Sequence, residues 1–306
     1  MSCKIIMYHY IREFDNNIPN LKFFNVVDFE KQLNYFEKQF WFVNKNDWLD
    51  YLDWKKEFIN WVILTFDDWL IDHYEYVLPI LKKKNLWWIF FISSWPLKNK
   101  KILNVHKIHY LLWKYNEEKL YNIYVEILNE LNLDINSLLT GEKNEYEYQK
   151  LNKKSLLIKK INYLFTIDIQ NKILDLFFEK LIEDKEKIYN MFYMDKEHIK
   201  ELIKEWNIIW GHTENHIILS KYSDDVLENE ISLSNKYLEK EFDIRIDNFA
   251  YPYWLENTYN ENTISFLQRN WVENSFIVNP QDFNISNSRY KIHRYDCNLF
   301  KYWKIF

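Results

Sequence analysis

Two adjacent carboxylates, Asp67 and Asp68, close the string Thr65-Phe66-Asp67-Asp68. The apolar run Val62-Ile63-Leu64 leads into them, so they stand where a strand gives way to a loop. Neighbouring side chains at a strand end point in different directions, so one carboxylate can bind a cation while the other accepts a proton. Alone, such a pair reads as well as a solvated loop or a helix cap. A second string, Gly211-His212-Thr213-Glu214-Asn215-His216, also follows an apolar run. Histidines four positions apart lie on one face, about 6 Å apart at Cβ, if the segment enters a helix, which suits two imidazoles on one metal. The bland alternative makes one of them a core or surface histidine. Taken together, two histidines and one aspartate form a facial set of three ligands with positions left open for water, a catalytic pattern.

Such residues need a scaffold that gathers distant strand ends. Short β-branched or aromatic runs, each ending in a polar cluster, begin at Lys4, Val62, Ile89, Asn207, Asn248, Asn274 and Arg289. Helical patterns lie between them at 27–40, 72–84, 195–205, 223–241 and 260–270, with Asp195 and Ser223 as N-caps. The alternation favours a parallel α/β architecture. From 98 to 190 the rhythm breaks into a Leu-, Ile-, Asn- and Lys-rich stretch of helical period without Pro, Gly or Ser runs, which reads as a helical insertion rather than a linker.

A chain of 306 residues can bury a large core in one domain or two small ones. Its net charge of −5 gives no broad electrostatic reason to expect nucleic acid or an anionic membrane as partner. Two cysteines, Cys3 and Cys297, are too few for a disulfide framework and fit a reducing compartment. Neither a signal-peptide core nor an apolar run of about 18 residues is present, so the expectation is a cytoplasmic protein without a membrane span.

The strings TFDD (65–68), GHTENH (211–216) and FAYPY (249–253), in this order, resemble the first three motifs of the polysaccharide deacetylases, the NodB-homology family also called carbohydrate esterase family 4. The opening MYHY and the closing YKIHR fall where that family has its first strand and last motif, so the resemblance spans nearly the whole chain. It implies a distorted (β/α) barrel over 1–306 as a single catalytic domain, interrupted by the helical insertion at 98–190. It further implies Asp68, His212 and His216 as ligands of a divalent metal, Zn2+ foremost, and Asp67 as general base. Thr213 would hold the His loop, the Tyr253 backbone N–H would stabilise the oxyanion, and His293 would protonate the leaving amine. His9 would take a substrate-side or supporting role. In the last motif Arg294 is the alternative to His293, as a residue that orients a catalytic carboxylate; the family's third-motif arginine is replaced by Ala250, which leaves open what orients Asp67. His106 and His109, in VHKIHYLL, resemble a segment of members linked to surface-polysaccharide loci, but the simpler reading of both is as helix-face histidines. The implied reaction is hydrolysis of an N-acetyl group on an amino sugar of a polysaccharide or glycolipid precursor. The rivals are a glycan- or metal-binding relative without turnover, and a hydrolase of another non-peptide C–N bond.

The composition carries one anomaly: 2 glycines against 14 tryptophans, where ordinary proteins hold about 7% glycine. Trp69, Trp88, Trp210, Trp254 and Trp271 stand where the family pattern has glycine, and Trp41, Trp61, Trp95, Trp113 and Trp206 look similar. An indole there is expected to crowd a backbone that must approach metal and sugar closely. One reading is a gene from a genome that reads UGA as glycine, translated with UGA as tryptophan. The other is genuine tryptophans serving as sugar-stacking platforms or an aromatic core.

Overall fold

The computed structural model describes residues 3–53, 60–133, 153–253, 256–283, 288–301 and 304–305. Two compact units result. The first gathers Met1–Glu13, Phe23–Asn99 and Phe192–Phe306; the second gathers Phe14–Lys22 and Lys100–Met191.

Seven parallel strands build the first unit: β1 (Cys3–Tyr8), β2 (Trp61–Phe66), β3 (Ile89–Ile92), β4 (Ile208–Gly211), β5 (Asn248–Ala250), β6 (Asn274–Val278) and β7 (Ile292–Asp296). Their spatial order follows the chain, and the sheet closes because β1 pairs with both β2 and β7. The registers run from Cys3 opposite Trp61 to Tyr8 opposite Phe66 on one side, with Ile6 opposite Tyr295 on the other. The result is a distorted (β/α) barrel. A two-residue strand, Trp41–Phe42, adds to the outer edge of β2.

Strands buried on both faces read as near-continuous apolar runs, which is why these segments stand out in the sequence. Alternate residues meet inside: Ile5, Ile63, Ile89, Phe91, Ile208, Trp210, Ala250, Phe276 and Ile292 form one cluster with Trp48 and Tyr51 of the helix Lys45–Leu52. Burying side chains of this size contributes about 1.5–3 kcal/mol each. The same parity carries Thr65, Asp67 and Arg294 inward above that apolar floor, so the pleat sets the direction of the polar residues too.

The expected helices appear with two departures. The stretch 72–84 opens as a π-helical turn, His73–Val77, before the α-helix Leu78–Lys84. The stretch 223–241 likewise contains a π turn, Glu228–Leu233, between Asp224–Leu227 and Ser234–Phe242. Asp195 caps its helix through a reciprocal pair with His198, whereas the Ser223 side chain makes no cap bond. The π turns insert an extra residue per turn, which sequence periodicity at 3.6 cannot register.

Between 98 and 190 the described residues are helical: Asn104–Lys114, Glu117–Glu130, Lys153–Lys159, Ile161–Leu164, Ile167–Leu181 and the start of Lys185–Phe192. His106 is buried on the first of these, and His109 stacks on Trp113 at 5.2 Å, as helix-face residues do. Among the described residues no helix is long and apolar enough to cross a membrane.

A candidate metal and catalytic site at the strand ends

Asp67 and Asp68 leave β2 at the carboxyl end of the barrel, where parallel barrels collect their chemistry. The Asp67 N–H donates to the Tyr8 carbonyl at 3.0 Å, which continues the β1–β2 ladder one residue past the strand. The chain then turns through two left-handed residues, Asp68 at φ 76° and Trp69 at φ 56°. That turn separates the two carboxylates. Asp67 stays on the inward parity, and Arg294 grips it with a parallel fork, Nη1 to Oδ1 at 2.7 Å and Nη2 to Oδ2 at 2.8 Å. Arg294 is fully buried, lies over the Phe91 ring and donates also to Thr65 Oγ1. Burial pushes the Asp67 carboxyl up, but the Arg294 charge, with His212 and His9, outweighs it and holds the group below the usual carboxylate range.

Asp68 faces the imidazoles. Its Oδ1 lies 3.5 Å from His212 Nε2 and 3.3 Å from His216 Nε2, and one donor atom from each of the three residues falls within 4.8 Å of the others. Donors about 2.0–2.1 Å from a tetrahedral ion stand about 3.4 Å apart, so the spacing fits a zinc-like cation. The tautomer fits as well. His212 Nδ1 donates to the Ala250 carbonyl at 2.8 Å, which leaves the buried Nε2, without a hydrogen-bond partner, aimed at a carboxylate oxygen. A second-nitrogen bond of this kind fixes ligand histidines in metal sites.

The His string does not enter a helix. Thr213 at φ 64° and His216 at φ 54° fold 212–216 into a tight loop, and Thr213 Oγ1 accepts from the His216 N–H at 2.8 Å. The two rings meet edge to face with centroids 5.0 Å apart. Their convergence thus comes from the turn around Thr213, not from the i, i+4 geometry expected of a helix. Just before the loop, a Cβ at Gly211 would run into the Asn235 side-chain amide, so any larger residue there would have to displace Asn235.

Similar barrels occur among solved structures. The deacetylase PplD of Streptococcus pyogenes, solved in complex with acetate, aligns over 97% of this chain and 92% of its own at 17% identity and TM-score 0.60. IcaB from Ammonifex degensii aligns over 96% and 91% at 15% identity and TM-score 0.59. The polysaccharide deacetylase BC0361 from Bacillus cereus aligns over 97% and 65% at 13% identity and TM-score 0.56. The fold is that of the polysaccharide deacetylases. No family model matches the sequence, and no curated protein matches it.

Around the three facing donors, the barrel places the other residues singled out from the sequence unevenly. His9 continues the inward parity of β1, with Nε2 3.7 Å from Asp68 Oδ2, the carboxylate oxygen that His212 and His216 do not face. Tyr253 follows β5 at φ 62°, and its ring stands 4.8 Å from that of His216. His293 is not brought to the carboxylates: it alternates with Arg294 on β7 and so faces away from the lumen. Among the described residues its Nδ1 has no hydrogen-bond partner, and its charged neighbour is Glu256. Burial lowers the His293 pKa against the pull of Glu256. Arg294, one position later, occupies the inward direction.

Several supporting residues carry no sequence signal of their own. His73 is fully buried, and its Nε2–H donates to the His9 carbonyl at 3.0 Å. Burial lowers its pKa to about 4, against that hydrogen bond, so the ring is neutral. Arg12 forks onto buried Asp72, Nε to Oδ2 at 2.8 Å, and ties the loop after β1 to the helix after β2. The carbonyls of the His loop are capped from the β3 side: Ser93 Oγ donates to His212 O at 2.7 Å, the Ser94 N–H to Thr213 O at 3.2 Å and the Trp95 N–H to Glu214 O at 3.1 Å. Glu230 takes the Asn215 N–H and side-chain amide. Burial pushes Glu230 up to about 7, opposed by those two bonds.

The tryptophans divide into two groups. Trp69, Trp206 and Trp271 adopt φ of 56°, 65° and 61°. Trp206 and Trp271 each follow a helix, with the next residue's N–H returning to the carbonyls of Leu202 and Leu267, a turn that favours glycine. Both side chains stand in solvent, 75% and 86% exposed. Trp88, Trp95, Trp113 and Trp210 sit in ordinary backbone. Trp210 fills the barrel, stacked on Phe276, so it does not crowd the His loop as expected. Trp254 lies outside the described residues.

Proposed function

We propose that this protein is a metal-dependent hydrolase that removes an N-acetyl group from an amino sugar of a polysaccharide or glycolipid precursor. The observation that carries the proposal is the convergence of Asp68, His212 and His216 beside an Asp67 carboxylate already held by Arg294. A divalent cation bound by the three donors, Zn2+ foremost, would supply Lewis acidity, lowering the pKa of water and polarising the acyl carbonyl.

The chain's own residues divide the remaining work. Asp67, kept ionised by Arg294, takes the proton of the attacking water. The fork aims its two oxygens, so the carboxylate does not swing toward the cation. Thr213 keeps His216 in place, and the Tyr253 N–H, on the left-handed turn after β5, donates to the developing oxyanion. Attack forms the C–O bond, and C–N cleavage releases acetate and a free amine whose nitrogen must gain a proton. The resemblance gives that proton to His293, while the geometry offers His9 as the imidazole beside Asp68. The missing third-motif arginine and the crowding tryptophans favour the rival, a glycan- or metal-binding relative without turnover; against the first of these, the Arg294 fork supports Asp67 from another strand.

The test is metal analysis coupled to acetate release from N-acetylated oligosaccharides. Asp67→Asn is expected to keep metal and lose activity, and His212→Ala to lose metal. A well-folded parent that binds no divalent metal would overturn the reading.

A further inference from the structure

The His loop places two of its five residues, Thr213 and His216, in left-handed backbone, a conformation that costs non-glycine residues of order 1–3 kcal/mol each and persists only when surrounding contacts over-determine it. Six of its backbone groups have named partners. The His212 N–H extends the β3–β4 ladder to Ile92 O, three carbonyls are capped by Ser93, Ser94 and Trp95, and the His216 N–H turns inward to Thr213 Oγ1. All of these lie on the β3 side of the loop or within it. On the opposite side, beside the His212 Nδ1 bond to the Ala250 carbonyl, the group that holds the loop backbone among the described residues is Glu230. The Glu230 carboxylate accepts the Asn215 N–H at 2.8 Å on Oε2 and the Asn215 side-chain amide at 2.7 Å on Oε1.

Glu230 is 4% exposed, and a buried carboxylate is retained only where its oxygens are engaged. It sits within the π turn Glu228–Leu233, whose extra residue redirects the helix face at that point. The residue it grips is the one directly before His216.

We infer that Glu230 is a positioning residue: through Asn215 it fixes the His216 side of the metal site, and without it the third ligand is no longer held at its distance from Asp68. This rests on the metal-site reading above. Asn215 can turn its amide, so Gln at 230 can still accept from the backbone N–H while donating to the Asn215 oxygen, whereas an apolar residue of similar volume can do neither.

The experiment is titration of the full-length protein with Zn2+ against a chromophoric chelator, together with the visible spectrum of the Co2+ form, for the parent, Glu230→Gln and Glu230→Met. Expected are an affinity close to the parent for Gln, a 10–100-fold loss for Met and an altered Co2+ spectrum for Met, the range seen when an outer partner of a ligand is removed. Unchanged far-UV circular dichroism shows that the fold is kept. Should Glu230→Met not fold, Asn215→Ala takes its place, with a several-fold loss expected. Parent-like affinity and spectrum in the folded Met variant, or in Asn215→Ala where Met fails, overturn the inference. A parent that binds no Zn2+ overturns the metal-site reading, and the inference with it.

Discussion

Arg294 on β7 and Asp67 beyond the end of β2 share two parallel hydrogen bonds of 2.7 and 2.8 Å inside the barrel, with β1 between their strands. Both groups are almost wholly removed from water. A buried pair of this kind adds little net stability, but it strongly resists loss of one member, because the survivor is left charged and unpaired.

Arg294→Met is therefore expected to destabilise the protein by about 3–5 kcal/mol, and the double variant with Asp67→Asn to recover most of that loss. Arg294→Lys keeps the charge but not the fork, so kcat should fall while metal content is retained. Denaturant midpoints and metal analysis check both. An Arg294→Lys enzyme with parental kcat would show that the fork does not aim Asp67.

Thr213 supplies the hydroxyl that turns His216 inward. Thr213→Val leaves a buried N–H unsatisfied, at a cost of about 1–3 kcal/mol, and should lower metal affinity at least several-fold. Thr213→Ser should stay close to the parent in a chelator competition assay. Equal affinity in Ser and Val variants would remove the role.

His73 is neutral in the fold, with a pKa near 4 against 6.5 for an ordinary histidine. Between those values the unfolded chain binds a proton that the folded chain does not. Its contribution is thus fully present above pH 6.5 and is lost as pH falls toward 4, on the order of 3 kcal/mol in all. His73→Gln should flatten the difference between chemical denaturation at pH 7 and at pH 4.5. An equally steep loss in that variant would assign the acid sensitivity elsewhere.

Under the proposed reaction, His9 and His293 are the two candidates to protonate the departing amine. Since His9 stands beside Asp68 and His293 faces out of the lumen, His9→Ala should depress kcat by about 10²-fold or more, within the usual range for a general acid, and His293→Ala much less. The reverse ranking would restore the assignment drawn from the family resemblance.

Trp206 and Trp271 hold left-handed backbone with their indoles in solvent, so nothing compensates the strain. Glycine at each should raise stability by about 1 kcal/mol, measured by thermal melting. Trp69→Gly exchanges strain relief for the loss of a buried indole packed on Tyr193, and should change activity more than stability. Reading the codons at 69, 206 and 271 tests the origin directly: UGG there would end the recoding hypothesis.

The apolar runs carry the barrel in the sequence itself, because a parallel strand buried on both faces leaves a continuous signature, and all seven strands overlap runs picked out by that rule. The TFDD and GHTENH strings were legible for the same reason, each standing at the end of such a run. What the sequence could not reveal was direction. Whether His293 or Arg294 enters the lumen depends on strand parity, and a one-residue offset exchanges the two. The helix expected from the i, i+4 histidines gave way to a loop because Thr213 and His216 turn left-handed, a choice enforced by partners on β3 and on the π turn. Glu230 and His73 stayed hidden among ordinary helical residues, since their roles come from burial and from contacts made only when distant segments close around the same loop.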